Sequence, residues 1–170
     1  AAGDGGQGAS VFVHAAGAAT FAPAAQLDGA VVGTNCAAKI TGLAVMTTHW
    51  PLRSDARIVL CSSVSGIWGG RGHAGYAAAN RMLDVMAAQL RSAGRDCTAV
   101  RWGLWQGGGI VDEHEAANIT RSGLLPMDPA TAIRAGFTAP SADPLAYCAD
   151  AGRLEMFLGR TETEMAERES

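Results

Sequence analysis

Two runs constrain the fold most: Arg57-Ile-Val-Leu-Cys-Ser-Ser63 and Cys97-Thr-Ala-Val-Arg-Trp-Gly103. Each is continuously apolar at its centre rather than alternating, the pattern of a strand covered on both faces in a parallel sheet. Between them runs a helical stretch from about Gly75 to Ser92, with Met82, Leu83, Met86 and Leu90 as its expected core stripe and Gly94 just past its end. Strand, helix and strand in this order form a βαβ crossover, so the two strands lie parallel.

The rest of the chain extends this pattern. Ser10–Gly17 reads as a short buried strand ending in a turn. Leu27, Val31, Val32, Ile40, Leu43, Val45 and Met46 carry a long helix from about Pro23 to Trp50, which Pro51 ends. Residues 64–73, with four glycines, form a loop; Gly107–Gly109 reads as a hinge before a short polar helix near Asp112–Arg121. Pro129 opens a further helix to about Thr138, and residues 144–150 form a last strand. The expected class is α/β, with residues 1–9 a linker or frayed end, 10–160 the folded region and 161–170 a charged tail.

Composition narrows the function. At 170 residues, 48% hydrophobic and 17% charged, the chain can bury a core. A net charge of −3 without a basic cluster argues against nucleic acid as a partner. No apolar run is expected to cross a membrane, and no signal peptide opens the chain. Cys36, Cys61, Cys97 and Cys148 form no CxxC pair; three are read as buried, reduced thiols of a cytoplasmic protein, and no metal site is expected. Gly3-Asp-Gly-Gly-Gln-Gly8 matches a phosphate-binding glycine pattern by letter, but it precedes a strand instead of following one, so it reads as linker.

Ligands of parallel sheets bind at the carboxyl ends of the strands, here His14–Gly17, Cys61–Ser65 and Arg101–Gly103. Ser63 ends one strand. Tyr76 opens the next helix, and Asn80 shares its face at i+4. Lys39 sits among apolar neighbours; it either snorkels to water or is held near the phenol, where a cation would lower the phenol pKa. A serine hydroxyl could hydrogen-bond a carbonyl oxygen while a phenol gives it a proton. The same residues could equally be caps and core members.

The combination His14-Ala-Ala-Gly17, Lys39, Ser63, Tyr76-Ala-Ala-Ala-Asn80 and Trp102-Gly-Leu-Trp105 resembles the ketoreductase domains of modular polyketide synthases, members of the short-chain dehydrogenase/reductase superfamily. Most of that superfamily carries Tyr-x-x-x-Lys; in these ketoreductases lysine and asparagine have exchanged places, as Lys39 and Asn80 have here. Gly123–Ile133 resembles the segment after the family's mobile lid. The resemblance implies a Rossmann-like sheet and NADPH-dependent reduction of a β-ketoacyl thioester, borne by an acyl carrier protein, to a β-hydroxyacyl thioester. Tyr76 would protonate the ketone oxygen and Ser63 would hydrogen-bond it. Lys39 would orient the nicotinamide ribose and tune Tyr76, and Asn80 would support the proton relay. His14, Ala15, Ala16 and Gly17, together with Trp102, Gly103 and Leu104, would line the cofactor. A-type stereochemistry is implied by Trp68, eight residues before Tyr76, and by the absence of Leu-Asp-Asp after the first turn; His73, three before Tyr76, implies a subtype that prefers the other α-substituent epimer, and both residues would orient the substrate. Independently of the resemblance, Gly107–Gly109 can pivot, so that Ile110, Val111 and Ile119 would close over the acyl chain; a flexible surface loop is the alternative.

One departure matters. The family's Thr-Gly-Gly-x-Gly-x-x-Gly turn, which holds the pyrophosphate, has no counterpart before Ser10. The first βαβ units are therefore expected to come from elsewhere in the ketoreductase or its parent megasynthase, and the 170 residues alone are expected to bind NADPH poorly. The alternative reading is a truncated or non-catalytic structural segment of such a megasynthase; a small-molecule binding module without hydride transfer is a third.

Overall fold

The computed structural model describes residues 8–107, 110–139 and 142–159. In chain order the elements are β1 (Ala9–His14), α1 (Gly29–Cys36), a π-helical segment (Ala37–Thr41), α2 (Gly42–His49), β2 (Leu52–Ser63), α3 (Ser65–Trp68), α4 (Ala74–Ser92), β3 (Asp96–Trp102), α5 (Glu113–Arg121), β4 (Leu124–Leu125), α6 (Pro129–Thr138), β5 (Leu145–Ala146), β6 (Cys148–Ala149) and α7 (Ala151–Phe157). A four-stranded sheet of order β1-β2-β3-β5 is parallel throughout, and β4 pairs with β6 in a small antiparallel ladder. The sheet is parallel and α/β, as the two apolar runs implied, and Rossmann-like, as the resemblance implied.

Around β2 and β3 both sheet faces are covered, whereas β1, expected to be buried, is an edge strand that leaves Val11 and Val13 exposed. Ile58 and Leu60 of β2 point to one side, where they meet Leu43, Leu83, Ala87, Cys97 and Ala99. Val59 points to the other, beside Val100, Trp102, Met127, Ala132 and Ala146. Each buried Leu, Ile, Val or Met among them stabilises the fold by about 1.5–3 kcal/mol relative to exposure. Gly136 of α6 lies so close to Trp102 that an added Cβ would overlap the indole. A polar clamp fixes α4 to the sheet: Arg101 Nε donates to Asp84 at 2.8 Å, and Arg91 grips Asp143 through two bonds of 2.9 Å.

The structure moves several boundaries. The long helix starts at Gly29, because Asp28 caps it by accepting from the Val31 amide at 2.9 Å; Pro23 precedes only a 3-10 turn. Trp50 turns extended ahead of Pro51, as residues before proline do. Ala9 belongs to β1 rather than to a linker. The expected strand at 144–150 is two short pieces in different ladders. The loop at 64–73 contains the helical turn α3, and α7 was not foreseen. Met82 is exposed, so the buried stripe of α4 is Ala79, Asn80, Leu83, Asp84 and Ala87, displaced toward polar residues that the apolar count overlooked. Only Cys97 is buried; Cys36 and Cys61 are intermediate and Cys148 is exposed.

The segment Gly29–His49 is long and apolar enough to cross a bilayer by length and composition, against the expectation that no run is. The length arises because α1, the π segment and α2 join end to end. The segment buries Asn35, Lys39 and Leu43 and packs on α4. Residues 1–7 and the 161–170 tail lie outside the described residues.

Candidate active site

The carboxyl ends of the strands border one pocket of about 420 Å³. Ser63, the last residue of β2, pairs with Trp102, the last of β3. Tyr76, in the first turn of α4, faces the Ser63 hydroxyl. Lys39 lines the same pocket; its ammonium donates to the Cys61 carbonyl at 2.9 Å and lies 6.0 Å from the centre of the Tyr76 ring. The residues singled out in sequence as an alcohol, a phenol and an ammonium thus converge from β2, α4 and the π segment. Asn80 is different. It is fully buried one turn behind Tyr76 and does not line the pocket. Its Nδ2 donates to the Tyr76 carbonyl at 2.8 Å, and its Oδ1 has no partner among the described residues.

Lys39 reaches the pocket because of a helix irregularity. The π segment inserts extra backbone between α1 and α2, shifting the face that each side chain presents. Lys39 is 3% exposed, so it does not snorkel. His14, at the end of β1, has Nε2 3.0 Å from the Lys39 carbonyl oxygen, and this contact fixes the π turn to the sheet.

Burial sets the protonation states. It pushes the Tyr76 phenol above its ordinary value, and the Ser63 and Asn80 side chains pull it only partly back. The expectation that Lys39 lowers the phenol pKa is therefore corrected: desolvation wins over an ammonium 6.0 Å from the ring. Burial also lowers Lys39 below the usual lysine range, opposed by Cys61 and Asp84. His14 is lowered mainly by burial. Tyr76 is thus a neutral phenol around pH 7, able to give a proton.

The expected cofactor wall is only partly formed by the residues named. Ala15, Trp102, Gly103 and Leu104 line the pocket, whereas the buried His14 ring faces the Lys39 backbone instead. Ala16 is exposed and does not line it. Gly17 matters by what it lacks: a Cβ there would stand 3.2 Å from Lys39 Cε. The bare backbone leaves room beside the ammonium. Lysine carries three donors, of which Cys61 takes one, so a hydroxylated ligand fits against the remainder.

Trp68 and His73, expected to orient the substrate, also line the pocket. Trp68 meets Tyr147 edge-on at 5.0 Å. His73 is buried rather than solvated: its ring stacks on Phe21 at 4.4 Å, and its Nε2 lies 2.7 Å from Glu115 Oε1 on α5. Phe21 and Glu115 were not foreseen as site residues. Neither belongs to a motif, and Glu115 reads as one more acid in a polar helix. Ile110, Val111 and Ile119 border the pocket, in line with the proposed lid; of its hinge, Gly108 and Gly109 lie outside the described residues.

Known proteins resemble this chain in sequence and in fold. The sequence matches the family described as KR domain over residues 7–107. It is 40% identical over 133 residues to the erythronolide synthase EryA3 of Saccharopolyspora erythraea, covering 76% of this chain and 4% of that protein. It is 43% identical over 82 residues to the pikromycin polyketide synthase component PikAII of Streptomyces venezuelae, covering 48% of this chain and 2% of that protein. Among solved structures, PlmKR1, a ketoreductase from the first module of phoslactomycin biosynthesis in Streptomyces sp. HK803, superposes with a TM-score of 0.77 at 33% identity, over 89% of this chain and 37% of its own. A structure of A-type ketoreductases from a modular polyketide synthase gives 0.77 at 32% identity, over 87% and 32%. The chain therefore spans about a third of the length of these solved relatives and a few per cent of the curated ones.

Proposed function

Because this chain belongs to the KR domain family, the ketoreductases of polyketide synthases, we propose that it supplies the catalytic groups for reducing a β-ketoacyl thioester to a β-hydroxyacyl thioester within a larger synthase. The observation that carries this reading is the convergence of Ser63, Tyr76 and Lys39 on one pocket at the strand ends.

A ketone needs a hydride at carbon and a proton at oxygen. The hydride is the chemistry that a nicotinamide cofactor supplies when bound, and we assign NADPH to that role. Lys39, with two hydrogens unspent on the described residues, would hold its ribose hydroxyls beside Gly17, and Ala15, Trp102, Gly103 and Leu104 would wall it in. Tyr76 delivers the proton: its raised pKa keeps the phenol protonated, and its place in the pocket sets it against the oxygen. Ser63 Oγ accepts from the Ser65 amide at 3.2 Å, leaving its own hydrogen for the developing oxyanion. Asn80 holds the Tyr76 backbone, and its free Oδ1 could bind the water that restores the proton. The ketone is presented as an acyl chain on a carrier protein, Trp68 favours A-type facial selection, and His73 helps orient the substrate.

The test is direct. The full polypeptide that carries this chain is incubated with a β-ketoacyl N-acetylcysteamine thioester and either NADPH or NADH. Loss of reduced nicotinamide absorbance is followed, and product configuration is read by chiral chromatography. NADPH oxidation matched by β-hydroxy product supports the proposal. Thioester processing without cofactor oxidation would leave only a structural role.

A further inference from the structure

Asn35 takes no part in the reaction scheme, yet it is fully buried near the end of α1 with both ends of its amide engaged. Its Oδ1 accepts from the Thr20 amide at 3.1 Å. Its Nδ2 donates to the Thr20 carbonyl at 3.1 Å and to the Val31 carbonyl at 2.8 Å. A backbone N–H only donates and a carbonyl only accepts, so the two Thr20 bonds fix which end of the amide is which. Bonded to both groups of one residue, the side chain stands in for a neighbouring strand. Thr20 needs that substitute, because residues 15–23 run from β1 to the 3-10 turn without helix or ladder.

The next residue is Phe21. Its ring meets Tyr76 edge-on at 5.8 Å and stacks on His73 at 4.4 Å. On the other side of Phe21, the Ala22 amide donates to the Gly72 carbonyl at 2.9 Å. Phe21 is thus held at both of its neighbours, by Asn35 and by the loop ahead of α4. The same asparagine abuts the start of α4: a Cβ on Gly75, the residue before Tyr76, would stand 3.1 Å from Nδ2. One buried amide therefore registers the aromatic ring at the phenol and the helix that carries the phenol.

Water kept from the Tyr76 ring matters to its chemistry, since burial is the largest influence on its protonation, ahead of the Ser63 and Asn80 hydrogen bonds. Charged and titratable groups also surround it: Lys39 from the π segment, His73 before α4, Glu115 bonded to His73 from α5, and Cys61 and Arg71 on the pocket wall. Among the described residues, none of these side chains hydrogen-bonds to the Asn35 side chain.

We infer that Asn35 is a positioning residue: by gripping Thr20 it seats Phe21 against the Tyr76 ring and keeps water from the phenol. The seat stands on geometry alone; its consequence for turnover rests on the ketoreductase reading.

The experiment compares the full polypeptide with Asn35→Leu, which keeps the volume and loses the bonds, with Asn35→Asp, with Phe21→Ala and with the double variant N35L/F21A. Acetylation by N-acetylimidazole, quantified at Tyr76 and Tyr147 by peptide mass spectrometry, reads phenol accessibility without substrate or cofactor. Tyr76 should react about 10-fold faster in N35L and in F21A, the scale of the hydrogen bonds lost. The exposed Tyr147 should keep its rate. A buried aspartic acid is neutral and offers Thr20 an acceptor and one donor, so N35D should react only about 3-fold faster than wild type. N35L/F21A should react no faster than F21A. With a β-ketoacyl thioester and NADPH, kcat should fall about 10-fold in N35L and largely recover in N35D. A lower melting temperature with an unchanged Tyr76 rate would assign Asn35 to stability alone and overturn the inference. Equal acceleration at Tyr147, or additive effects in the double variant, would overturn it as well. If N35L does not fold, N35D and F21A decide, and an unaltered Tyr76 rate in either sinks the inference. A wild-type protein that reduces no thioester removes the ketoreductase reading and the turnover arm with it, while acetylation still decides the seat.

Discussion

The two walls of the pocket are built on different terms. One wall is β2, the π segment and α4, where Lys39, Asn80, Leu83 and Asp84 are buried and Arg101 and Arg91 clamp helix to sheet. The other is α5, whose residues are at most half-buried and which is tied across by Glu115. Groups that move protons need placement within a few tenths of an ångström, and the first wall provides that rigidity. A surface that admits a bulky acyl chain must yield, and the second wall can. The contrast separates chemistry from admission.

The hardest test of the rigid wall removes its acid. Tyr76→Phe should cut NADPH-dependent reduction about 10³-fold with little change in melting temperature, measured spectrophotometrically and by thermal unfolding. Ser63→Ala should lower kcat about 10²-fold, since it removes one donor to the oxyanion while leaving the acid. Gly136→Ala would force a methyl into the Trp102 indole; the expected cost is about 1–3 kcal/mol of stability in a denaturant titration, felt by the rigid side of the molecule. A matched pair compares the walls directly. Ala78 of α4 and Ala117 of α5 are both exposed mid-helix. Glycine costs about 1 kcal/mol at either site. In α4 that loss should appear in the melting temperature, whereas in α5 it should appear as a raised KM with the melting temperature held. If both variants lower the melting temperature equally, the distinction between the walls fails.

The mildest effect is on pH. Lys39 is lowered by burial, so its ammonium is present below that depressed value and lost as pH rises through it, before an ordinary lysine would lose its proton. Tyr76 is raised, so the phenol is still protonated there. The alkaline limb of kcat/KM should therefore follow Lys39 and fall below the usual lysine pKa of about 10.4. Lys39→Arg, if it retains turnover, should move that limb up by about one pH unit or more. An unmoved limb would assign it to another group.

The rigid wall was the legible one. Val59, Leu60, Ala99 and Val100 announce buried parallel strands, and Ser63 and Tyr76 sit where a strand end and a helix start can be read from periodicity and turn residues, while Lys39, in mid-helix, stood out by its apolar neighbours and by the family resemblance. What escaped was information that no local pattern carries. The π segment that aims Lys39 has no signature in Ala37-Ala-Lys-Ile-Thr41. The direction of the Tyr76 shift depends on how much water the fold removes, a property of packed neighbours. Glu115 finds His73 only after α5 folds back, and the split of residues 144–150 between two ladders depends on β3 and β4 as partners.

The irregular turn at Lys39 has a further consequence. An ordinary α-helix rotates about 100° per residue. Deleting a single residue between Cys36 and Lys39 would restore regular winding and swing the ammonium by roughly that angle, away from the phenol. A domain of this kind could thus be silenced by a change of helical phase, with every reacting group still encoded in the gene.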